Sequence, residues 1–206
     1  MATALLQPTG RAGRVSLDHA GVRWRWLPAS DLRRLGLNLD LPAIRDVFGP
    51  FGRATVHERL LVLAHGDEWR GTSLTLVVER DGEPLGLAGV VRRGDVLRTR
   101  TYLHPDLQGG AVNAAAKQIA WSLAGLTGLP LTAIVNEANT RSRAAMAKCW
   151  PAVRPTTQPS TDRPGVSLHY RLDEPPARGL PLDVHEVGAL RLLAERTPFG
   201  RQLPRP

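Results

Sequence analysis

Residues 101–117 of this 206-residue chain read TYLHPDLQGGAVNAAAK, and this stretch carries the most information about the fold. A β-rich run ends near Pro105, the pair Gly109 and Gly110 follows, and small helix-favouring residues begin at Ala111. A helix that starts directly after a loop of small residues has unpaired backbone N–H groups at the positive end of its dipole, where a diphosphate can bind. An ordinary strand-to-helix turn, with a flexible glycine pair, is the alternative that this stretch alone leaves open.

Two turn signals precede this stretch. Asp81-Gly82 and Gly94-Asp95 separate β-rich runs, and such residues are typical of hairpin turns because they tolerate positive φ. The predicted elements are strands at residues 74–78, 85–91, 96–103, 131–135 and 166–172 and helices at residues 111–124 and 140–149. Hairpins that lead into a strand–helix–strand unit predict an α/β (α+β) fold with a mixed sheet rather than a doubly wound one.

The two ends of the chain show less periodicity. Residues 1–20 are predicted to be a flexible N-terminal arm, and residues 174–206, rich in proline and arginine, a C-terminal extension with a short helix near 184–196. Between the arm and the first hairpin the predicted elements are a strand at 22–27 and helices near 30–35 and 56–63. We expect one domain, at residues 21–173, because 206 residues are few for two catalytic domains.

The stretch around the glycine pair resembles the GNAT N-acetyltransferases, in particular the Rim-type branch that acetylates protein N-termini and many small amines. The matching positions are Thr101, Tyr102, Leu103, Pro105, Gly109, Val112, Asn113 and Lys117. Ala111 stands where that branch has its second glycine, and its small side chain still leaves room for a phosphate. The resemblance implies a GNAT-like mixed, mostly antiparallel sheet flanked by helices.

The same resemblance implies acetyl-CoA, or another acyl-CoA, as co-substrate between the family's fourth and fifth strands, which are residues 96–103 and 131–135 here. An irregularity in the fourth strand would expose backbone groups to the pantetheine amides and bring Tyr102 and Leu103 beside the thioester. The other residues expected to bind the cofactor are Gln108, Gly109, Gly110, Ala111, Val112 and Asn113.

A second match lies at residues 136–146, NEANTRSRAAM, where relatives carry Asn-x-Arg-Ser-x-x-Ala. By resemblance Asn139 would hydrogen-bond the pantetheine arm, although an asparagine here is also a good helix N-cap, and both roles can hold together. Ser142 would donate a proton to the leaving thiolate, the alternative being an exposed first-turn serine. Many GNAT enzymes use a tyrosine for this task, where this chain has Met146.

Direct acyl transfer needs a neutral amine, a polarised carbonyl and a route for a proton, so a strong base is optional. The candidate bases are Glu137 and Glu79, which follow strands and are equally typical of solvated turns. His104 is expected to be exposed. Cys149 lies on an apolar helix stripe and is predicted to be a buried core thiol rather than a nucleophile.

The composition argues against several other kinds of site and classes of protein. The single cysteine excludes an internal disulfide and a multi-thiolate metal site, and no metal is expected. The net charge of +8 comes almost entirely from dispersed arginines, and aromatic residues are few, which disfavours a dedicated nucleic-acid module. No apolar run is long enough for a membrane helix or a signal peptide, so we expect a cytoplasmic protein.

The predicted function is transfer of an acyl group, in the first instance acetyl, from acyl-CoA to a primary amine of a small molecule or a peptide N-terminus. Two alternatives stay open: a GNAT-like protein that has lost catalysis and serves binding or regulation, and a transferase that takes its donor from aminoacyl-tRNA. The amine acceptor cannot be identified from the sequence, and a homodimer is also left open.

Overall fold

The computed structural model describes residues 15–26, 70–160 and 165–204. Within them the chain forms one eight-stranded sheet in the order β1-β2-β3-β4-β5-β6-β8-β7. The strands are β1 (Ser16–His19), β2 (Val22–Trp26), β3 (Ser73–Arg80), β4 (Glu83–Arg93), β5 (Val96–Leu103), β6 (Leu131–Asn136), β7 (Thr156–Pro159) and β8 (Val166–Leu172). Neighbouring strands are antiparallel except for β5 and β6, which are parallel. The predicted mixed, mostly antiparallel sheet is confirmed.

Three α-helices accompany the sheet in the described part of the chain: α1 (Ala111–Thr127), α2 (Thr140–Cys149) and α3 (Val184–Glu195). Short 3₁₀ turns lie at Pro105–Leu107 and Pro198–Gln202. The helices predicted at 111–124 and 140–149 are therefore confirmed. α1 extends one further turn than predicted and ends at Gly128, whose left-handed backbone (φ +69°) terminates it.

The core lies between the sheet and the helices. The apolar stripe of α1, which includes Val112, Ile119 and Leu123, is buried against strand residues such as Leu97 and Leu131. Cys149 and Met146 of α2 join the same core, which confirms Cys149 as a buried thiol. Each side chain points to the core because the helical period of 3.6 and the strand period of 2 return apolar residues to one face.

The N-terminal region differs from the prediction. Residues 16–19, expected in a mobile arm, form β1, which pairs with β2 through a turn at Ala20 and Gly21. His19 Nδ1 lies 2.8 Å from Glu186 Oε1, so this strand is also tied to α3. The sequence signal was weak because a four-residue strand is too short to show periodicity.

The C-terminal region differs as well. A helix was expected near 184–196 and is present as α3, but it is part of the core rather than of an outlying extension. Leu190 and Phe199 are fully buried, and Asp183 and Glu186 form a reciprocal capping box at the helix start. The strap at residues 174–183 is held to α1 because Gln118 Nε2 donates to the carbonyls of Pro176 and Arg178.

The helices predicted near residues 30–35 and 56–63 lie outside the described residues.

β7, which had no sequence signal, is an exposed edge strand beside β8. None of the helices in the described ranges combines the length and the apolar character that crossing a membrane requires.

Candidate functional site

The sheet opens between its two parallel strands. β5 and β6 pair only at Leu97 with Leu131 and at Arg98 with Thr132. Beyond that point β5 continues to Leu103 and β6 to Asn136 without pairing to each other, whereas each remains paired to its other neighbour. The divergence leaves strand-edge backbone groups of both strands facing a common opening, where an extended ligand can bind.

The start of α1 lies at the mouth of this opening. Gly110 is the N-cap residue and has no side chain to cap the helix, and no acidic residue lies in the first turn. Gly109 has φ +73°, and a Cβ atom added to Gly109 or Gly110 would meet no atom within 4 Å. Among the described residues no side chain therefore fills the space beside this glycine pair at the start of α1, which suits a bound anion.

The two sides of the opening are linked by the side chain of Gln108. Gln108 Nε2 donates to the carbonyl of Leu103 at 2.7 Å, and Arg141 Nη1 donates to Gln108 Oε1 at 3.0 Å. Leu103 ends β5, and Arg141 lies in the first turn of α2. This pair of hydrogen bonds therefore crosses from the β5 side to the β6 side of the opening and brings a guanidinium to its mouth.

α2 begins on the β6 side. Asn139 is its N-cap, and Asn139 Oδ1 accepts a hydrogen bond from the Ser142 N–H at 3.0 Å. In the described part of the chain, no hydrogen bond uses the Asn139 amide Nδ2. Ser142 is half-buried in the first turn. Two helix starts, those of α1 and α2, thus flank one opening in the sheet.

No protein-family model and no curated protein sequence matches this chain significantly. Several solved structures do match this chain in their fold. The ribosomal alpha-N-protein acetyltransferase RimL aligns with a TM-score of 0.63 at 12% identity, over 82% of this chain and 99% of its own. The chain has the GNAT fold.

Two further solved structures, both with a form of coenzyme A bound, also align with this chain. Mycobacterium smegmatis RimJ in complex with CoA-disulfide aligns with a TM-score of 0.59 at 19% identity, covering 88% of this chain and 94% of its own. The aminoglycoside acetyltransferase AAC(6')-Ib in complex with coenzyme A aligns with a TM-score of 0.58 at 15% identity, covering 72% of this chain and 92% of its own. At these identities the likeness shows the fold, and the Rim-type proteins are only some of the similar structures.

The GNAT fold brings most of the predicted cofactor residues together. The residues at the β5 end, in the glycine loop and at the start of α1 line one mouth of the opening, and Asn139 lies on its opposite side. The Gln108 side chain makes two hydrogen bonds within the protein, one from Nε2 to the Leu103 carbonyl and one from Arg141 to Oε1, which leaves one N–H of its amide for another partner.

The expected irregularity of the strand ending at Leu103 is not in its ladder with β4. The register of β5 against β4 is continuous from Val96 to Leu103, and the register shift in the neighbouring ladder lies at Val78 and Glu79, between β3 and β4. Beyond Arg98 the β6-facing edge of β5 is instead left without a neighbouring strand among those described, because β6 has turned away, and there Gln108 Nε2 donates to the Leu103 carbonyl. An early end of pairing has no local sequence signal, since it depends on how α1 and α2 hold the two strands.

The side chains considered as acids and bases differ in how exposed they are to solvent. Glu137 follows β6 and is exposed, while its backbone N–H and carbonyl are held by Val166 and Arg143. Glu79 is mostly buried and ion-paired with Arg25, the carboxylate lying 2.7 Å from Arg25 Nη2. That ion pair makes Glu79 the weaker candidate base. Met146 is in the core, so the position that many relatives give to a tyrosine carries no hydroxyl.

Two polar side chains beside the opening had no predicted role in the site, although Lys117 is one of the positions that match the motif. Asn136, the last residue of β6, accepts from the Ala138 N–H, and its Nδ2 is buried without a partner among the described residues. Lys117 of α1 is 7% exposed, and its Nζ donates to Thr101 Oγ1 on β5 at 3.1 Å. Both carry a signal in hindsight, since they are polar residues in otherwise apolar stripes. In the described ranges no group of His, Cys, Asp and Glu is arranged to hold a metal ion.

Burial lowers the pKa of Lys117 to about 8, and the nearby Cys149 thiol raises it by a smaller amount. Burial also raises the pKa of the Cys149 thiol, against the opposing effects of Lys117, Arg178 and Lys148. Lys117 is therefore a cation at neutral pH in an apolar environment, and Cys149 is a neutral thiol.

Proposed function

We propose that this protein is an acyl-CoA-dependent N-acyltransferase that transfers an acetyl group directly to a primary amine. The observation that carries the proposal is the opening between β5 and β6, whose mouth lies at an uncapped helix start with no side chain in the way. An elongated cofactor with a diphosphate and two amides matches this combination of an anion site and exposed strand edges. The GNAT fold supports the same assignment.

The cofactor would lie with its diphosphate on the N–H groups of Gly110, Ala111, Val112 and Asn113. The open space at both glycines and the absence of an acidic residue in the first turn fit a group with two negative charges. Its pantetheine arm would follow β5 past Leu103 and Tyr102, beyond the point where the pairing with β6 ends, and Asn139 would donate to an amide carbonyl from the other side. Gln108 and Arg141 would hold the two sides at a fixed distance.

The cofactor supplies a thioester, whose carbonyl carbon the acceptor amine attacks. Ser142, half-buried at the start of α2, would donate a hydrogen bond to the departing sulfur, and Glu137, exposed after β6, would accept a proton from the amine. The acceptor is a small-molecule amine or a peptide N-terminus. The similar structures include an aminoglycoside acetyltransferase and a ribosomal alpha-N-protein acetyltransferase, which illustrates this range.

The test of the cofactor site is Ala111→Glu. A glutamate at the first position of α1 puts a carboxylate and extra bulk beside the proposed diphosphate, so we expect CoA affinity to fall at least about tenfold, or roughly 1.4 kcal/mol. The helix should be retained, because its first turn tolerates glutamate. Isothermal titration calorimetry with CoA measures the change.

Ala111→Gly is the matched control and should leave CoA binding nearly unchanged, since it removes only a methyl group. Circular dichroism should show both variants folded like the parent. Equal CoA affinity in the parent and in Ala111→Glu would place the phosphates elsewhere, and no binding by the folded parent at millimolar CoA would end the cofactor assignment.

The role of Ser142 is tested by Ser142→Ala. A hydroxyl that donates only to the leaving thiolate acts mainly in the transition state, so kcat should fall about 100-fold while CoA affinity stays close to that of the parent. The assay follows release of free thiol from acetyl-CoA with an amine found by screening. An unchanged kcat across pH would make Ser142 a first-turn serine without a catalytic role and leave water as the proton donor.

The buried Met146 keeps a second candidate function open, a GNAT-fold protein that binds acyl-CoA without transferring the acyl group. Such a protein would bind CoA in calorimetry and would release no thiol with any amine of a broad screen. A donor attached to tRNA is less compatible with the site, since it would make no use of the open helix start.

A further inference from the structure

Lys117 is a buried cation for which the fold alone provides little compensation. It lies in the second turn of α1, about 9 Å along the helix axis from Ala111. Its side chain is 7% exposed, and in the described part of the chain its hydrogen-bond partner is the neutral hydroxyl of Thr101. An ammonium has three donors, so this contact leaves donors unused.

Among the residues that the structure describes, the one titratable group that acts on the charge of Lys117 is the Cys149 thiol, and no carboxylate is paired with the ammonium. Ala88 and Val90 of β4 belong to the same apolar core, and Met146 and Cys149 face it from α2. Cys149 is the titratable group that acts on it, and that thiol stays neutral because burial raises its pKa. The other charges near this cluster, Arg178 and Lys148, are positive and act on Cys149. Burying an unpaired charge is costly, so a functional reason is expected.

Lys117 also lies beside the opening. Thr101 belongs to the part of β5 that has lost its pairing with β6, because that ladder ends at Arg98 and Thr132. A parallel ladder continued in the same register would have placed Val135 next to Thr101. The side chain of Lys117 therefore meets β5 from the helix layer at the level of the gap, one residue before Tyr102.

We propose that the Lys117 ammonium, held by Thr101 under the opening between β5 and β6, stabilises the thiolate of CoA that leaves in the transfer. This inference rests on the proposed function, which lays the thioester beside Tyr102 and Leu103. The amine nitrogen attacks the carbonyl carbon, the C–S bond breaks, and its electron pair goes to sulfur. Lys117 keeps its proton, the new amide loses one to water or Glu137, and the thiolate is protonated afterwards by Ser142 or water.

The anion that compensates Lys117 is thus brought by the ligand. A preorganised charge beside an atom that becomes negative lowers the barrier without reorganisation during the reaction. The same charge should act on the product, because an ammonium near a thiol favours the thiolate. Bound CoA therefore reports on Lys117 without any acceptor amine.

The experiment measures the thiolate fraction of bound CoA by ultraviolet difference absorbance between pH 6 and 10, with the CoA-free protein subtracted to remove Cys149. In the parent we expect about ten times more thiolate at pH 7 than in free CoA. In Lys117→Gln, which keeps a donor for Thr101 but has no charge, the fraction should return to that of free CoA. Lys117→Met serves as a second neutral variant, and calorimetry establishes that each variant is saturated with CoA.

A parent that binds CoA with the thiolate fraction of free CoA overturns this inference and leaves the proposed function intact. An equal increase in the parent and in both neutral variants also overturns it, since another group would then be responsible. A folded parent that does not bind CoA overturns the proposed function and the inference together. Should neither variant fold, a parent whose bound CoA has the thiolate fraction of free CoA still overturns the inference, and a raised fraction supports it.

Discussion

Gly89→Ala is expected to destabilise the protein by about 3 kcal/mol, the upper end of the usual cost of overpacking. Gly89 lies in β4 directly opposite Thr75 of β3. A Cβ atom at this position would lie 1.9 Å from the carbonyl oxygen of Leu74 and 3.0 Å from its carbonyl carbon. Both are backbone atoms of a strand residue that is paired with Val90 of β4, so they cannot move away as the end of a side chain could. Urea unfolding followed by circular dichroism measures the loss.

Gly125→Ala is the matched control for Gly89→Ala. Gly125 is exposed in α1, and a Cβ atom there meets nothing within 4 Å. Because alanine loses less conformational freedom than glycine when a helix forms, this variant should gain up to about 1 kcal/mol. If Gly89→Ala were as stable as the parent, the close approach of β3 and β4 at this point would be wrong.

Lys117→Met is expected to raise the free energy of unfolding at pH 7, and the gain should disappear as the pH rises. Burial lowers the pKa of Lys117 from 10.5 to about 8 in the folded state. Below about pH 8 the lysine is charged in both states, and folding bears the full cost of burying the charge. Above 10.5 it is neutral in both states. Between pH 8 and 10.5 the unfolded state binds more protons than the folded state. The free energy of unfolding of the parent therefore rises by roughly 3 kcal/mol across this range.

The measurement is the difference in unfolding free energy between Lys117→Met and the parent at several pH values from 7 to 10.5. The lost hydrogen bond to Thr101 offsets the gain by about 1 kcal/mol while Lys117 can donate, so the slope with pH is the readout rather than the value at one pH. Groups such as Tyr170, whose pKa is raised by burial, cancel in the difference because both proteins contain them. Lys148→Met, at an exposed position in α2, is the control and should show no such slope. A constant difference across this range would show that Lys117 is hydrated.

Turns and periodic segments could be predicted because their causes are local. Asp81 and Gly82 have φ of +52° and +81°, values that aspartate and glycine adopt more readily than other residues. The stripe of α1 and the alternation of β8 each repeat within one segment, so neither depends on a distant partner. For the same reason the uncapped start of α1 at Gly110 could be placed to the residue.

Predictions that required a distant partner were incomplete. β1 forms because Leu17 and Trp24 are buried in a hairpin that α3 covers, and α3 lies more than 160 residues further along the chain. The integration of residues 174–183 depends on Gln118, whose two acceptors are about 60 residues away. A short or proline-rich segment has no periodicity of its own to reveal such contacts.

By itself the sequence determined the central strands β2 to β6 and β8, the helices α1 and α2, the hairpin turns and the residue at which α1 begins, because backbone preferences and side-chain periodicity act over a few residues. Only the tertiary structure decided that β5 and β6 separate after two pairs, that Gln108 and Arg141 join across the gap, and that Lys117 is buried under it. These features arise where α1, α2 and the sheet pack together. Contacts between segments stabilise these features, so the sequence of a single segment cannot predict them.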